Sequence, residues 1–119
     1  MAELAELQKD VDLLKMLFTQ RGSTHRYLEK VFRIRNKWQK RVTFPEFTAL
    51  TTQIHGKSFD QRITETRVRI LIELTCAGDT RKKSRYSAAI NNARKAGCAP
   101  SELSKCFKKK GGIAKAAYG

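Results

Sequence analysis

Apolar residues step through most of this chain at alternating intervals of three and four, and almost nowhere at intervals of two. Leu4, Leu7, Val11, Leu14 and Phe18 form one such series, and Tyr27, Val31, Ile34 and Trp38 form another. That spacing places side chains on one face of an α-helix, whereas a strand buried on one face needs strict alternation. The exception runs through Val68, Ile70, Ile72 and Leu74, where apolar residues do alternate. A lone strand leaves its backbone donors and acceptors without partners, and no second stretch could pair with this one. A central buried helix, from a cap at Ser58 to about Ala77-Gly78, is therefore the preferred reading, with the strand for 60–76 as the alternative. The expected fold is all-α: a single domain over 1–119, built as a compact bundle of five or six short helices.

The boundaries follow from local chemistry. A first helix covers 1–20, acidic and apolar, and ends at Arg21-Gly22-Ser23. Its apolar series, Leu4, Leu7, Val11, Leu14 and Phe18, is both a short coiled-coil seam open to a dimer or protein partner and the face of a helix packed on its own domain. Leu13, Met16 and Leu17 widen the arc, which favours internal packing. Ser23 or Thr24 starts a second helix reaching about Gln39. Thr43-Phe44-Pro45-Glu46 has the residues of a capping box, with proline in the first turn and glutamate three residues after the threonine. The helix it opens should stop at Gly56, just after His55. Asp79 or Thr80 caps a helix to Ala96. Gly97-Cys98-Ala99-Pro100 is a turn, Ser101 caps a last helix to about Lys110, and 111–119 reads as a last turn or a loose basic tail.

Charge is the second constraint. The formal net charge is +14 on 119 residues, and two blocks carry it. From Arg21 to Arg41 eight basic residues face one acid, Glu29; from Arg81 to Gly119 eleven face one, Glu102. Such a domain repels itself, and a polyanion would relieve the repulsion, which makes nucleic acid the first partner to consider. On the second helix Arg26, Lys30, Arg33, Lys37 and Lys40 repeat the step of the apolar stripe displaced by one residue, so the two stripes lie about 100° apart. This is a secondary candidate for phosphate contact. Tyr27 and Trp38 could stack on bases, but their spacing with Val31 and Ile34 assigns them to the core.

The segment 79–110 holds the main candidate site. Ala93, Gly97 and Leu103, with apolar Ala96, Cys98 and Cys106, resemble the helix-turn-helix of DNA-binding proteins over residues 89–108. A small residue lets two helices cross closely, and a glycine makes the turn. Asn92 departs from the pattern, occupying a position where an apolar residue is expected. The resemblance implies that Ser101, Glu102, Ser104 and Lys105 face bases or phosphate. Arg81, Lys82, Lys83 and Arg85 would hold phosphates at the start of the first helix, and Lys108, Lys109 and Lys110 at the end of the second.

Other classes find less in the residues. Neither Asp10 with Asp12 nor Asp60 with Glu65 shares a helix face at acid–base spacing. No glycine-rich phosphate loop precedes a helix, and neither histidine lies near Cys98 or Cys106 in sequence to activate a thiol. An enzyme is not expected, nor are a cofactor or a metal site. Three cysteines without a paired pattern suit a reducing, cytoplasmic setting and read as small core residues. The first twenty residues lack a signal peptide's apolar centre, and no apolar run nears the roughly 18 residues of a membrane span. The expected function is duplex DNA binding by a small regulator or accessory protein of a bacterium, phage or plasmid. The alternatives are RNA or structure-dependent nucleic-acid binding, and an inhibitor or adaptor of the phage or plasmid type that occupies a protein partner.

Overall fold

The computed structural model describes residues 2–57, 59 and 66–118. Among them are seven α-helices and no strand: α1 (Ala2–Thr19), α2 (Thr24–Arg41), α3 (Phe44–His55), α4 (Arg67–Thr75), α5 (Thr80–Lys95), α6 (Leu103–Lys110) and α7 (Ile113–Tyr118), with one 3₁₀ turn at Pro100–Glu102. The bundle measures 41 × 27 × 26 Å. None of the described helices is long and apolar enough to cross a membrane.

The alternating stretch is helical. Val68, Ile70, Leu71 and Ile72 are all buried in α4, so neighbouring apolar residues point to different helices rather than to one face of a sheet. A short central helix surrounded by others has no polar face to keep, and its pattern then loses its period. It starts at Thr66, whose hydroxyl accepts from the Arg69 amide. The proposed cap at Ser58, and the part of this element over 60–65, lie outside the described residues.

The apolar series of α1 faces inward. Leu7, Val11 and Leu14 are completely buried, and Leu4 and Phe18 pack against the same core. The helix lies on α2, α3 and α4, so the seam considered for a dimer or partner is filled by the chain's own helices. Tyr27 and Trp38 are likewise fully buried, which answers the stacking question in favour of the core. Trp38 Nε1 donates to Asp10 Oδ2 at 2.8 Å. Tyr27 Oη lies 2.6 Å from Thr75 Oγ1; the threonine hydroxyl donates to Leu71 O, which leaves Tyr27 as the donor of the pair. Burial pushes the Tyr27 phenol well above its ordinary range.

Caps behave as their chemistry requires, with two exceptions. Thr43 Oγ1 accepts from the Glu46 amide and donates to Glu46 Oε1 at 3.0 Å, and α3 ends at Gly56 with φ +84°. Asp79 accepts from the Lys82 amide at 2.8 Å. Ser23 precedes α2 but does not cap it. Its buried hydroxyl sits against Gln20 O and Leu17 O, at the end of α1. Ser101 does not cap α6 either, because the chain enters through the 3₁₀ turn with Ala99 at its cap.

The acids of α1 tie it to α2. Lys37 Nζ lies 2.9 Å from both Glu6 and Asp10, and Arg41 pairs with Glu6. Hydrogen bonds from Lys37 and Arg41 hold the Glu6 carboxyl below its usual value of 4.5. A carboxylate whose folded pKa is depressed stabilises the fold fully above its unfolded pKa, and that contribution disappears as pH falls through the folded pKa. Wild-type protein should therefore melt higher than Glu6→Gln at pH 7. The difference in Tm should shrink as pH falls below about 4.5 and disappear once Glu6 is protonated in the folded protein; a gap that stays constant on acidification would contradict the assignment.

Candidate nucleic-acid interface

The first turn of α5 carries Arg81, Lys82 and Lys83 and no acid. Cations at a helix N-terminus oppose the helix dipole, so this sequence places positive charge where the backbone already presents its positive end. The Asp79 carboxylate already caps that end, so an external anion would be held there by the exposed side chains rather than by the helix end. Arg81 and Lys82 are exposed and Arg85 is half-buried. The Lys82 ammonium lies 5.7 Å from the Phe18 ring centre and 5.9 Å from that of Tyr86. Lys83 is engaged within the fold instead: its Nζ is 2.8 Å from Glu73, which also receives Arg69 at 3.3 Å. Both partners are mostly buried, so Lys83 leaves the set of candidate phosphate contacts.

After α5 the chain turns through Gly97 at φ +85°, a conformation that strains any residue with a Cβ. The Cys98 amide donates to Ala93 O at 2.9 Å and the Gly97 amide to Arg94 O at 3.1 Å. Ala93 is partly buried and Leu103 almost completely so. These are the small residue and the branched residue singled out by the sequence pattern. Asn92, the departure from that pattern, donates from Nδ2 to Ala116 O and Ala117 O at 2.9 and 3.0 Å. It holds α7 against α5, and residues 113–118 are accordingly a docked helix with Ala116 buried, not a loose tail.

On α6, Leu103 and Phe107 point into the core while Lys105, Lys108, Lys109 and Lys110 are exposed. Ser101 and Glu102 are exposed beside them. Lys105 approaches Glu102 at 3.4 Å, with the lysine side chain 80 % exposed, a geometry worth little in water. Ser104 turns the other way. His25 Nδ1 lies 2.9 Å from Ser104 Oγ, and the imidazole meets the Phe107 ring edge-on at 5.7 Å. Ser104 therefore helps tie α6 to α2 through a solvent-exposed bond.

The stripe on α2 is partly consumed in the same manner. Lys37 serves α1, and Arg33 pairs with Glu29 at 3.2 Å. Burial opposes the charge on Lys37, but hydrogen bonds to Asp10 and Glu6 outweigh it and raise its pKa. Among the described residues no carboxylate pairs with Arg26, Lys30 or Lys40. The structure also adds Lys95, which the sequence pattern did not single out. It is exposed at the end of α5 and borders, with Lys105 and Lys109, a cleft of about 810 Å³ whose lining includes Ala89, Ala93 and Phe107.

Cys98 and Cys106 are joined as a disulfide, and Cys76 is free and buried. The expectation of three separate core thiols is thus corrected for two of them. The turn and the 3₁₀ segment bring residues eight apart to a Cα separation of 6.8 Å, which spacing alone does not reveal. Closing so short a loop removes denatured-state entropy worth about 2.5 kcal/mol. Cys98→Ser/Cys106→Ser protein should accordingly melt about 10 °C below the wild type in the absence of reductant. With reductant present the two should coincide; equal melting under both conditions would show that the bond contributes nothing.

The site as assembled is a turn-linked helix pair with exposed cations at both ends. Comparison with known protein families, characterised proteins and solved structures finds no match for this chain, so its functional reading rests on these residues alone.

Proposed function

We propose that the protein binds duplex DNA, with α5 and α6 acting as a helix-turn-helix and α6 entering the groove. The observation that carries this reading is the segregation of counter-charge. The acids of α1 and α4 neutralise Lys37, Arg41, Arg69 and Lys83 within the fold. On α6, Lys105 meets the exposed Glu102, and among the described residues no carboxylate pairs with Lys108 or Lys109. A fold that cancels the cations packed between its helices and leaves the α6 face cationic has a surface suited to phosphate.

Arg81, Lys82 and Arg85 would hold backbone phosphates at the start of α5, and Lys108 and Lys109 would do so beside the groove. Lys105 and Glu102 are placed to reach base edges, with Ser101 next to them. Phosphate contacts set affinity and carry no sequence information, so any specificity would come from the last three. Lys95 extends the cationic border, and Arg26, Lys30 and Lys40 remain available on α2.

Neutralising about five to seven phosphates gives a slope of log K against log salt near −5 to −6. Affinity for random duplex, single strands and structured RNA, measured across salt concentrations, tests the proposal. Duplex DNA should bind tightest and show that slope. A flat response would end the nucleic-acid reading, and a preference for RNA would end the duplex one.

A further inference from the structure

The cleft of about 810 Å³ is walled by α5, the turn at 97–99, α6 and α7. Its size lies within the range of about 300–1,000 Å³ that small-molecule sites occupy. The floor is apolar. Ala89, Phe107 and Ala116 line it and are buried, while Ala93, Cys98 and Cys106 line it half-buried. Helices in a bundle ordinarily close such a gap with larger side chains. Here α5 presents alanine methyls at 89 and 93, with Ala96 just past its end, and the gap stays open. The Cys98–Cys106 disulfide ties the turn to α6. It is part of the lining and fixes two walls relative to each other, so the cleft exists before any ligand enters.

Charge is confined to the mouth. Among the described residues the lining carries Lys95, Lys105, Lys109 and Lys110 against one acid, Glu102. All five residues are exposed. Glu102 approaches Lys105 at 3.4 Å and offsets one cation, which leaves the mouth positive. The other polar side chain of the lining, Asn92, spends its amide N–H groups on Ala116 O and Ala117 O. The interior therefore offers apolar contact and the mouth offers ammonium groups. The one ring in the lining, Phe107, is buried and meets His25 edge-on at 5.7 Å. It presents no open face for stacking, so these walls suit an aliphatic chain better than an aromatic one.

An apolar gap that faces water keeps its walls hydrated, and a ligand chain lying in it would release that water. We infer that this cleft binds a fatty carboxylate. The alkyl chain lies against the alanines, Phe107 and the disulfide, and the head group meets Lys95 and Lys109 at the mouth. The lysine stems cover the chain while their ammonium groups stay in water. Exposed charge pairs contribute little each, so most of the affinity comes from buried methylenes and the lysines select the sign of the head group. The site shares Lys95, Lys105 and Lys109 with the cationic border proposed for DNA but does not rest on that reading. Carboxylate binding can fail while the salt slope survives, or the reverse.

Calorimetric titration of the full chain with sodium decanoate, kept below its micelle concentration at constant ionic strength, tests it. Wild-type protein should bind one equivalent saturably. Each buried methylene is worth roughly a factor of four in affinity, so the shorter hexanoate should bind at least about tenfold more weakly. Ala93→Phe fills the cleft from its floor and should also cost at least about tenfold. Ala96→Phe does so from an exposed position, where the fold tolerates the change more readily. Lys95→Gln/Lys109→Gln protein should bind about fivefold more weakly. Lys15→Gln, at an exposed lysine of α1 outside the cleft, should bind as the wild type does. Absence of saturable binding by the wild type overturns the site. So does equal affinity for hexanoate and decanoate, or unchanged affinity in every folded cleft-filling variant. Equal weakening by Lys15→Gln and by the Lys95/Lys109 pair would show attraction to net charge alone and would overturn it too.

Discussion

Replacing Lys105, Lys108 and Lys109 together by glutamine is expected to weaken binding to a preferred duplex about 100-fold at 0.15 M salt and to flatten the salt slope by about two. The magnitude follows from counterion release. Each phosphate contact contributes about 0.9 to the slope, which at that salt is roughly a factor of five in affinity. The two phosphate contacts, Lys108 and Lys109, multiply to about 30-fold, and loss of the Lys105 base contact brings the total on a preferred site to the order of 10². The fold should tolerate the change, since all three side chains are exposed and the one pair they make, Lys105 with Glu102, is open to water. Melting temperature should move by only a degree or two, given that surface substitutions cost about 0.5 kcal/mol or less. Lys83→Gln is the informative contrast. Its ammonium is bound to Glu73 at 2.8 Å with both partners mostly buried, so its loss should lower stability and leave the salt slope alone. If Lys83→Gln changed the slope as much as one of the α6 lysines, the division between internal and external cations would be wrong.

Trp38→Ala should lower stability by about 3–5 kcal/mol, a fall in Tm of roughly 10–25 °C for a domain of this size. The indole is completely buried and joins α2 to α1 by donating to Asp10. Its removal leaves a large cavity and takes one of two donors from that carboxylate; the other is Lys37 at 2.9 Å. Trp38→Phe keeps most of the volume and loses the N–H, so a cost nearer 1–2 kcal/mol is expected. Thermal melts of the three proteins separate packing from hydrogen bonding. Were Trp38 a stacking platform for bases, the alanine variant would instead lose nucleic-acid affinity at nearly unchanged Tm.

Much of the architecture could be read from local pattern because helices and their caps are local objects. The start of α3 at Thr43-Pro45-Glu46 and its end at Gly56 are settled within a dozen residues, since the cap bonds join neighbours. The same holds for Asp79 before α5. Residues 113–118 were harder. Six residues do not sustain a helix alone, and α7 exists because Asn92 bonds two of its carbonyls and α5 offers a surface to Ala116. Asn92 looked out of place in the helix-turn-helix pattern because its partner is 24 residues away. Ser101 misled for a related reason: a serine after proline is a reasonable cap, but the 3₁₀ turn moves the helix start past it.

The candidate site divides along the same line. Exposed lysines on α6 follow from spacing, because Leu103 and Phe107 must turn inward and their neighbours then turn out. Which of the other cations face a ligand does not follow. Lys37 and Lys83 stand in basic runs that look alike in sequence, yet Glu6 and Asp10 bind the first and Glu73 the second. Ser104 has the spacing of the groove face, but His25, 79 residues away, bonds it to α2.

From its residues alone, then, this chain had to be helical and cationic. The backbone satisfies itself within each helix, and charge is conserved whatever the fold. Packing decided which cations are cancelled and that Cys98 meets Cys106. Those outcomes depend on distances between helices remote in sequence, and Coulomb energy depends on separation in space rather than along the chain.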